Sequence, residues 1–162
     1  MEQNGGEGPQ LRSVITYGTF DLFHVGHLRL LNRAKALGDK LIVAVSTDQF
    51  NAQKKKKTII PYSQRAEIVG SIDCVDMVLP ESSWDQKRTD IKKYKISALV
   101  MGDDWTGKFD DLRDVCEVCY LSRTSDISST EIKRLLSPLD DGHMKDLRKA
   151  LDTVASIIAS LQ

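Results

Sequence analysis

The stretch Ser13-Val14-Ile15-Thr16-Tyr17-Gly18-Thr19-Phe20-Asp21-Leu22-Phe23-His24-Val25-Gly26-His27-Leu28 opens on an apolar run and closes on two histidines. Ser13–Tyr17 predicts a buried strand. Leu28–Leu37, with apolar residues at 28, 30, 31, 34 and 37, predicts a helix. The histidines therefore fall where a strand hands over to a helix N-terminus. Unpaired backbone N–H groups and the positive end of the helix dipole meet there, which suits an anion. Imidazoles at this spacing can share one face of a first helical turn, and Gly26 admits a ligand close to the backbone. A phosphate-handling site built from histidines is favoured over a structural role. Metal ligation ranks third, because no Glu sits beside the pair and the remaining histidine, His143, is remote in sequence.

Outward from this segment, strand-like runs alternate with helix-like ones. Strands are expected at Ser13–Tyr17, Lys40–Ser46, Val75–Leu79, Ala98–Met101 and Val115–Leu121. Helices are expected near 27–37, 63–71, 86–94 and 128–136, with a short turn near 110–114. Val, Ile and Leu fill the strands almost continuously, as when helices cover both faces of a sheet. The expected class is α/β, a doubly wound parallel five-stranded sheet. Ligands of such sheets bind beyond the carboxyl ends of the strands. Gly18–His27, Met101–Trp105 and Arg123–Thr130 each follow a strand, so they can converge on one crevice.

The 162 residues suffice for one core, and 23 basic against 23 acidic residues give no net charge. That balance argues against a nucleic-acid or membrane binder, both of which need a strong positive field. No run of 18 apolar residues exists and the polar start MEQNGGEGPQ is no signal h-region, so a cytoplasmic location is expected. Cys74, Cys116 and Cys119 fit a reducing compartment. The CxxC at 116–119 lies in a strand-like run, where residues three apart point to opposite faces, so a redox or zinc role is disfavoured. Residues 1–11 are expected to be disordered, 12–137 to form the domain, and 138–162 to form a helical extension. In that extension Met144, Leu147, Leu151, Val154, Ile158 and Leu161 make an apolar stripe, suited to packing on the domain or on a dimer mate.

Several residues read blandly by themselves. Lys54-Lys55-Lys56-Lys57 is a solvated charge run, Arg65 an exposed helix residue, and Lys87 helix surface. Asp103 and Asp104 are loop caps, and Ser128 with Glu131 is a capping box.

The segment Gly18–His27 resembles the GTFD-x-x-HxGH motif of the cytidylyltransferase family, and Arg123-Thr124-Ser125-Asp126-Ile127-Ser128-Ser129-Thr130 resembles its RTxGISTT motif. Trp84–Lys87 and Met101–Asp110 are similar to segments of the family's glycerol-3-phosphate branch. The resemblance covers about residues 13–136 and implies a Rossmann-like nucleotidyltransferase fold. It implies transfer of the cytidylyl group of CTP to glycerol 3-phosphate, releasing pyrophosphate and giving CDP-glycerol for a teichoic acid or capsule polymer. Mg2+ would accompany CTP, and a homodimer is implied. By the same resemblance His24, His27, Lys54, Lys56 and Arg123 are catalytic. Thr19, Phe20, Asp21, Val25, Gly26, Asp103, Asp104, Thr124, Ile127, Ser128, Ser129 and Thr130 join His24, His27, Lys56 and Arg123 around the nucleotide. Lys54, Arg65, Asp76 and Lys87 serve the acceptor. Asp21 would orient a histidine or the metal.

Two positions depart from the family pattern. Asp73 stands where an arginine is usual, and Asp126 where a glycine is usual. An acid at 73 is expected to repel both substrates unless it points away or Arg65 or Arg88 covers it. Such a departure leaves open another phosphorylated alcohol as acceptor, or a CTP-binding regulatory protein with impaired chemistry.

Overall fold

The computed structural model describes residues 11–125, 127–136, 142, 145, 146 and 148–153. They fall into two compact units, the first ending at Ile127 and the second starting at Ser128. In the first unit β1 (Ser13–Gly18), β2 (Lys40–Ser46), β3 (Met77–Glu81), β4 (Ala98–Gly102) and β5 (Glu117–Leu121) form one sheet in the order β3-β2-β1-β4-β5. All four pairings are parallel. The expected doubly wound sheet is therefore present. After β1 the chain builds outward through β2 and β3, then returns to lay β4 on the other side of β1. That reversal opens a crevice at the carboxyl ends of β1 and β4.

Strand alternation feeds two cores. Val14, Leu41, Val43, Val45 and Val100 face α1 (Val25–Lys35) and α3 (Tyr62–Gly70), which contribute Leu31, Ala34 and Val69. Ile15, Ile42, Ala44, Leu99 and Met101 pack with Ile91 of α4 (Gln86–Lys93) and with Phe109 and Leu112. Covered on both faces, the central strands have no polar side to present, which explains their unbroken apolar runs.

Three departures from the sequence expectation bear on the site. β3 runs two residues later than expected, because Val75 closes a turn onto Ile72 and pairing begins with Asp76 N–H donating to Leu41 O. It continues through Pro80, which is tolerated because β3 is an edge strand, and so carries Glu81 to the crevice. An unexpected helix, α2 (Asp48–Gln53), starts where Thr47 Oγ1 accepts the Phe50 N–H at 3.2 Å. A 3-10 turn at Asp103–Trp105 follows β4. None of the three cysteines forms a disulfide.

In the second unit α5 (Ser129–Leu136) begins with Ser128 Oγ accepting the Glu131 N–H at 3.1 Å. Residues 148–153 are helical, with Leu151 exposed. The expected disorder of 1–11, most of the apolar stripe and the Asp126 departure lie outside the described residues. Among the described residues no helix is long and apolar enough to cross a membrane.

Candidate active site

Past Gly18 the chain makes a tight loop in which Phe20 and Leu22 hold φ values of 53° and 49°. Side-chain-bearing residues adopt that left-handed conformation only when their surroundings impose it. Two clamps do so here. The buried carboxylate of Asp21 accepts the Ile59 and Ile60 N–H groups at 2.9 Å each. Arg65, 0% exposed, donates to Thr19 O at 2.6 Å, Ile60 O at 2.8 Å and Asp48 Oδ1 at 2.7 Å. Arg65 is thus neither the exposed residue its sequence context suggests nor an acceptor contact. Each of its nitrogens already serves the protein. Asp21 likewise anchors the loop, each of its oxygens accepting a backbone amide.

The loop delivers His24 as the N-cap of α1, three residues before the expected helix start. His24 Nδ1 accepts the Gly26 N–H at 3.0 Å, and His27 Nδ1 accepts the His24 N–H at 3.3 Å. With each Nδ1 accepting, the neutral-ring proton sits on Nε2, so each ring carries an N–H donor there. The rings stack with centroids 3.9 Å apart, and Phe20 and Phe23 each lie 5.4 Å from His27. Burial, aided by the charges of His24 and Lys56 and opposed by Asp21, lowers the His27 pKa to about 3. Burial and then Arg123 lower that of His24. The pair is therefore neutral at physiological pH and donates without carrying charge. Gly26 is required here: a Cβ would lie 2.8 Å from His24 Cε1 and 3.3 Å from Ile127 Cγ2.

Beside the histidine loop lies a cavity of about 340 Å³ lined by Tyr17, Gly18, Thr19, Ser46, Lys54, Lys56, Glu81, Trp84, Lys87, Met101 and Trp105. The lysine run divides as its alternation suggests, with Lys54 and Lys56 on the cavity and a turn at Lys55 in left-handed conformation. Lys54 Nζ donates to Ser46 Oγ at 3.0 Å, lies 3.7 Å from Glu81, and sits 4.1 Å from the Phe50 ring centroid. Burial lowers its pKa while Glu81 opposes the shift. Lys87, read from sequence as helix surface, is 2% exposed and donates to Glu81 Oε1 at 2.6 Å. Glu81, 3% exposed, also accepts a short hydrogen bond from the Ser46 hydroxyl. Two ammoniums on one carboxylate leave the cavity with a net positive charge, which suits a phosphate monoester.

Glu81 and Ser46 were missed from sequence. The available signal was an acid closing an apolar strand, with a lysine six residues on. On the other flank the exposed Arg123 depresses the His24 pKa by its charge, and its N–H donates to Asp103 Oδ2 at 3.2 Å. Asp104 is exposed in the adjoining 3-10 turn, Thr124 follows Arg123, and Val25 is exposed at the start of α1. Phe20 is buried beneath His27, and Thr19 reaches Asn51 Oδ1 at 3.2 Å. Ser128, Ser129 and Thr130 open α5 in the second unit.

Asp76 is not in the crevice. It lies where β2 and β3 begin, accepting from Lys35 Nζ at 2.6 Å and Leu41 N–H at 2.7 Å. Asp73 precedes it in an exposed turn at that same end of the sheet. The feared repulsion of substrate by Asp73 therefore does not arise. Arg88 pairs with Asp114 at 2.7 Å instead of compensating it. Among the described residues no group of three or more His, Cys, Asp or Glu side chains is placed to hold a metal ion.

A cytidylyltransferase-like family model matches residues 15–135. The chain is 56% identical over 129 residues to the glycerol-3-phosphate cytidylyltransferase of Bacillus subtilis (strain 168), covering 80% of this chain and 100% of that one. It is 53% identical over 126 residues to the enzyme of the same name from Staphylococcus aureus (strain NCTC 8325 / PS 47), covering 78% and 96%. Among solved structures, a lipopolysaccharide core biosynthesis protein from Thermoplasma volcanium GSS1 superposes with a TM-score of 0.61 at 24% identity, over 71% of this chain and 99% of that one. At that identity the likeness concerns the fold.

Proposed function

The chain belongs to the cytidylyltransferase-like family, and we propose that this nucleotidyltransferase joins CTP to sn-glycerol 3-phosphate, forming CDP-glycerol and pyrophosphate. The observation that carries the proposal is the adjacency of two kinds of phosphate site. Stacked neutral histidines offering Nε2–H stand beside a cavity with a net positive charge. A phosphate oxygen of the acceptor attacks the α-phosphorus of CTP, the bond to the bridging oxygen breaks, and the negative charge passes to the leaving pyrophosphate. Fixed donors aimed at that charge lower the barrier without reorganisation. His24 and His27 supply them, with Lys56 and Arg123 adding positive charge. Lys54 and Lys87 hold the acceptor phosphate. Mg2+ bound with the triphosphate would neutralise part of its charge.

The product serves glycerol-phosphate polymer synthesis, teichoic acid or capsule, in the cytoplasm. The chain works as a homodimer, with residues 138–162 an extension to a 12–137 domain. The test is pyrophosphate release from CTP with a panel of phosphorylated alcohols. Glycerol 3-phosphate is expected to give the highest kcat/KM, and a much higher value with another alcohol phosphate overturns the acceptor assignment. CTP binding with no turnover of any panel member would leave a regulatory protein.

A further inference from the structure

Lys87 sits in a frame that elsewhere receives cationic ligands. Its Nζ lies 4.3 Å from the Tyr17 ring centroid, 5.1 Å from Trp84 and 5.2 Å from Phe109, with the Glu81 carboxylate at 2.6 Å. Three aromatic faces and one buried carboxylate are the elements of an ammonium-binding box. Here the protein's own side chain fills it. Lys54 caps the neighbouring rings in the same way, 4.1 Å from Phe50 and 5.3 Å from Trp84.

We infer that Lys87 is a specificity determinant. Its ammonium occupies a place in the acceptor cavity, three rings and a carboxylate, that would accept a substrate's amino group, and so it excludes aminoalcohol phosphates in favour of uncharged polyol phosphates. This rests on the proposed cytidylyl transfer to an alcohol phosphate and concerns which alcohols are refused. An acceptor such as phosphoethanolamine brings a phosphate and an ammonium. In the native cavity that ammonium meets two lysines and finds the Glu81 carboxylate already shared between them. Glycerol hydroxyls carry no charge and incur no such repulsion. Truncating Lys87 vacates the box and frees Glu81 Oε1. Space is available, because Trp84, Lys87 and Trp105 also line an adjoining cavity of about 630 Å³. The phosphate of such an acceptor then keeps Lys54 while its ammonium takes the position of Lys87 Nζ.

The experiment measures pyrophosphate release from CTP with glycerol 3-phosphate, phosphoethanolamine and phosphocholine for the wild type, Lys87→Ala, Lys87→Gln and Lys87→Arg. In Lys87→Ala the ratio of kcat/KM for phosphoethanolamine to that for glycerol 3-phosphate is expected to rise by about tenfold or more, as when one buried charge contact is exchanged for another. Phosphocholine, which cannot hydrogen-bond Glu81, should gain less. Lys87→Arg should keep the native ratio. Lys87→Gln, a neutral near-isostere that still reaches Glu81, should move it in the direction of Lys87→Ala and serves if the alanine variant does not fold. Adding Glu81→Gln to Lys87→Ala should abolish the gain. An unchanged ratio in both neutral variants overturns the proposal, even if turnover of glycerol 3-phosphate falls. Wild-type enzyme inert with glycerol 3-phosphate but active with another polyol phosphate would refute the acceptor assignment while leaving the exclusion role standing. Wild-type enzyme as active with phosphoethanolamine as with glycerol 3-phosphate would refute the exclusion.

Discussion

Acid should destabilise this protein through His27 in a measurable way. Burial against Phe20 and His24 lowers the folded-state pKa to about 3, against an ordinary value near 6.5. Between those values the unfolded chain binds a proton that the folded chain refuses. The stability held by the neutral ring is thus fully present above about pH 6.5 and drains away as pH falls towards 3. The slope is about 1.4 kcal/mol per pH unit, so moving from about pH 7.5 to about pH 5 should cost about 2 kcal/mol from this residue. Urea unfolding at the two pH values, on wild type and His27→Gln, isolates the contribution. Contributions common to both proteins cancel, so the difference between the two pH-induced losses reports the 24–27 pair. His24, shifted in the same direction, adds to the wild-type loss. Equal losses in the two proteins would show that His27 titrates normally. The two-donor neutral arrangement would then be wrong.

Other substitutions separate the roles. His24→Ala should lower kcat about a hundredfold or more with the fold intact, as for a lost preorganised donor, and near-native turnover would refute that role. Lys54→Ala should chiefly raise KM for the acceptor and Lys56→Ala that for CTP; steady-state kinetics with each substrate varied would expose the reverse assignment. Asp73→Arg should leave kcat/KM within about twofold of wild type, because the position lies at the far end of the sheet, and a strong loss of activity would contradict that placement. Glu81→Gln should lower stability by about 3 kcal/mol or more by stranding the buried Lys87 ammonium and unpairing the half-buried Lys54, which a thermal melt detects; a melting point within about 2 °C of wild type would show them otherwise solvated.

Much of the architecture was legible because the physics that makes it is local. Unbroken Val, Ile and Leu runs bounded by polar turns can satisfy only a sheet covered on both faces, and all five expected strands are present. The 24–27 turn was legible for the same reason: the apolar runs on either side leave the histidines where a strand hands over to a helix start. What escaped were residues whose meaning depends on distant partners. Lys87 and Arg65 both look like solvent-facing helix positions, yet both are buried. Lys87 is buried because Glu81 arrives from an edge strand running two residues longer than its apolar core. Arg65 is buried because the left-handed loop at Thr19–Leu22 presents it with a carbonyl.

The resemblance erred in the same way at Asp76, since a motif assigns a residue to a site without saying at which end of the strand it lies. Lys35 and the Leu41 amide consume that carboxylate where the strands begin. The two misplaced cations also explain how the crevice is built. A charge buried without a partner is too costly to keep, so each one identifies a second group that must be held in place. Arg65 holds the loop that presents the histidines, and Glu81 holds the lysines that face them. The groups proposed as triphosphate donors and as acceptor cations are thus fixed by separate clamps. Loosening one, by Glu81→Gln, should therefore raise KM for the acceptor while leaving that for CTP nearly unchanged. Equal rises in both would mean the two halves of the site are held together instead of apart.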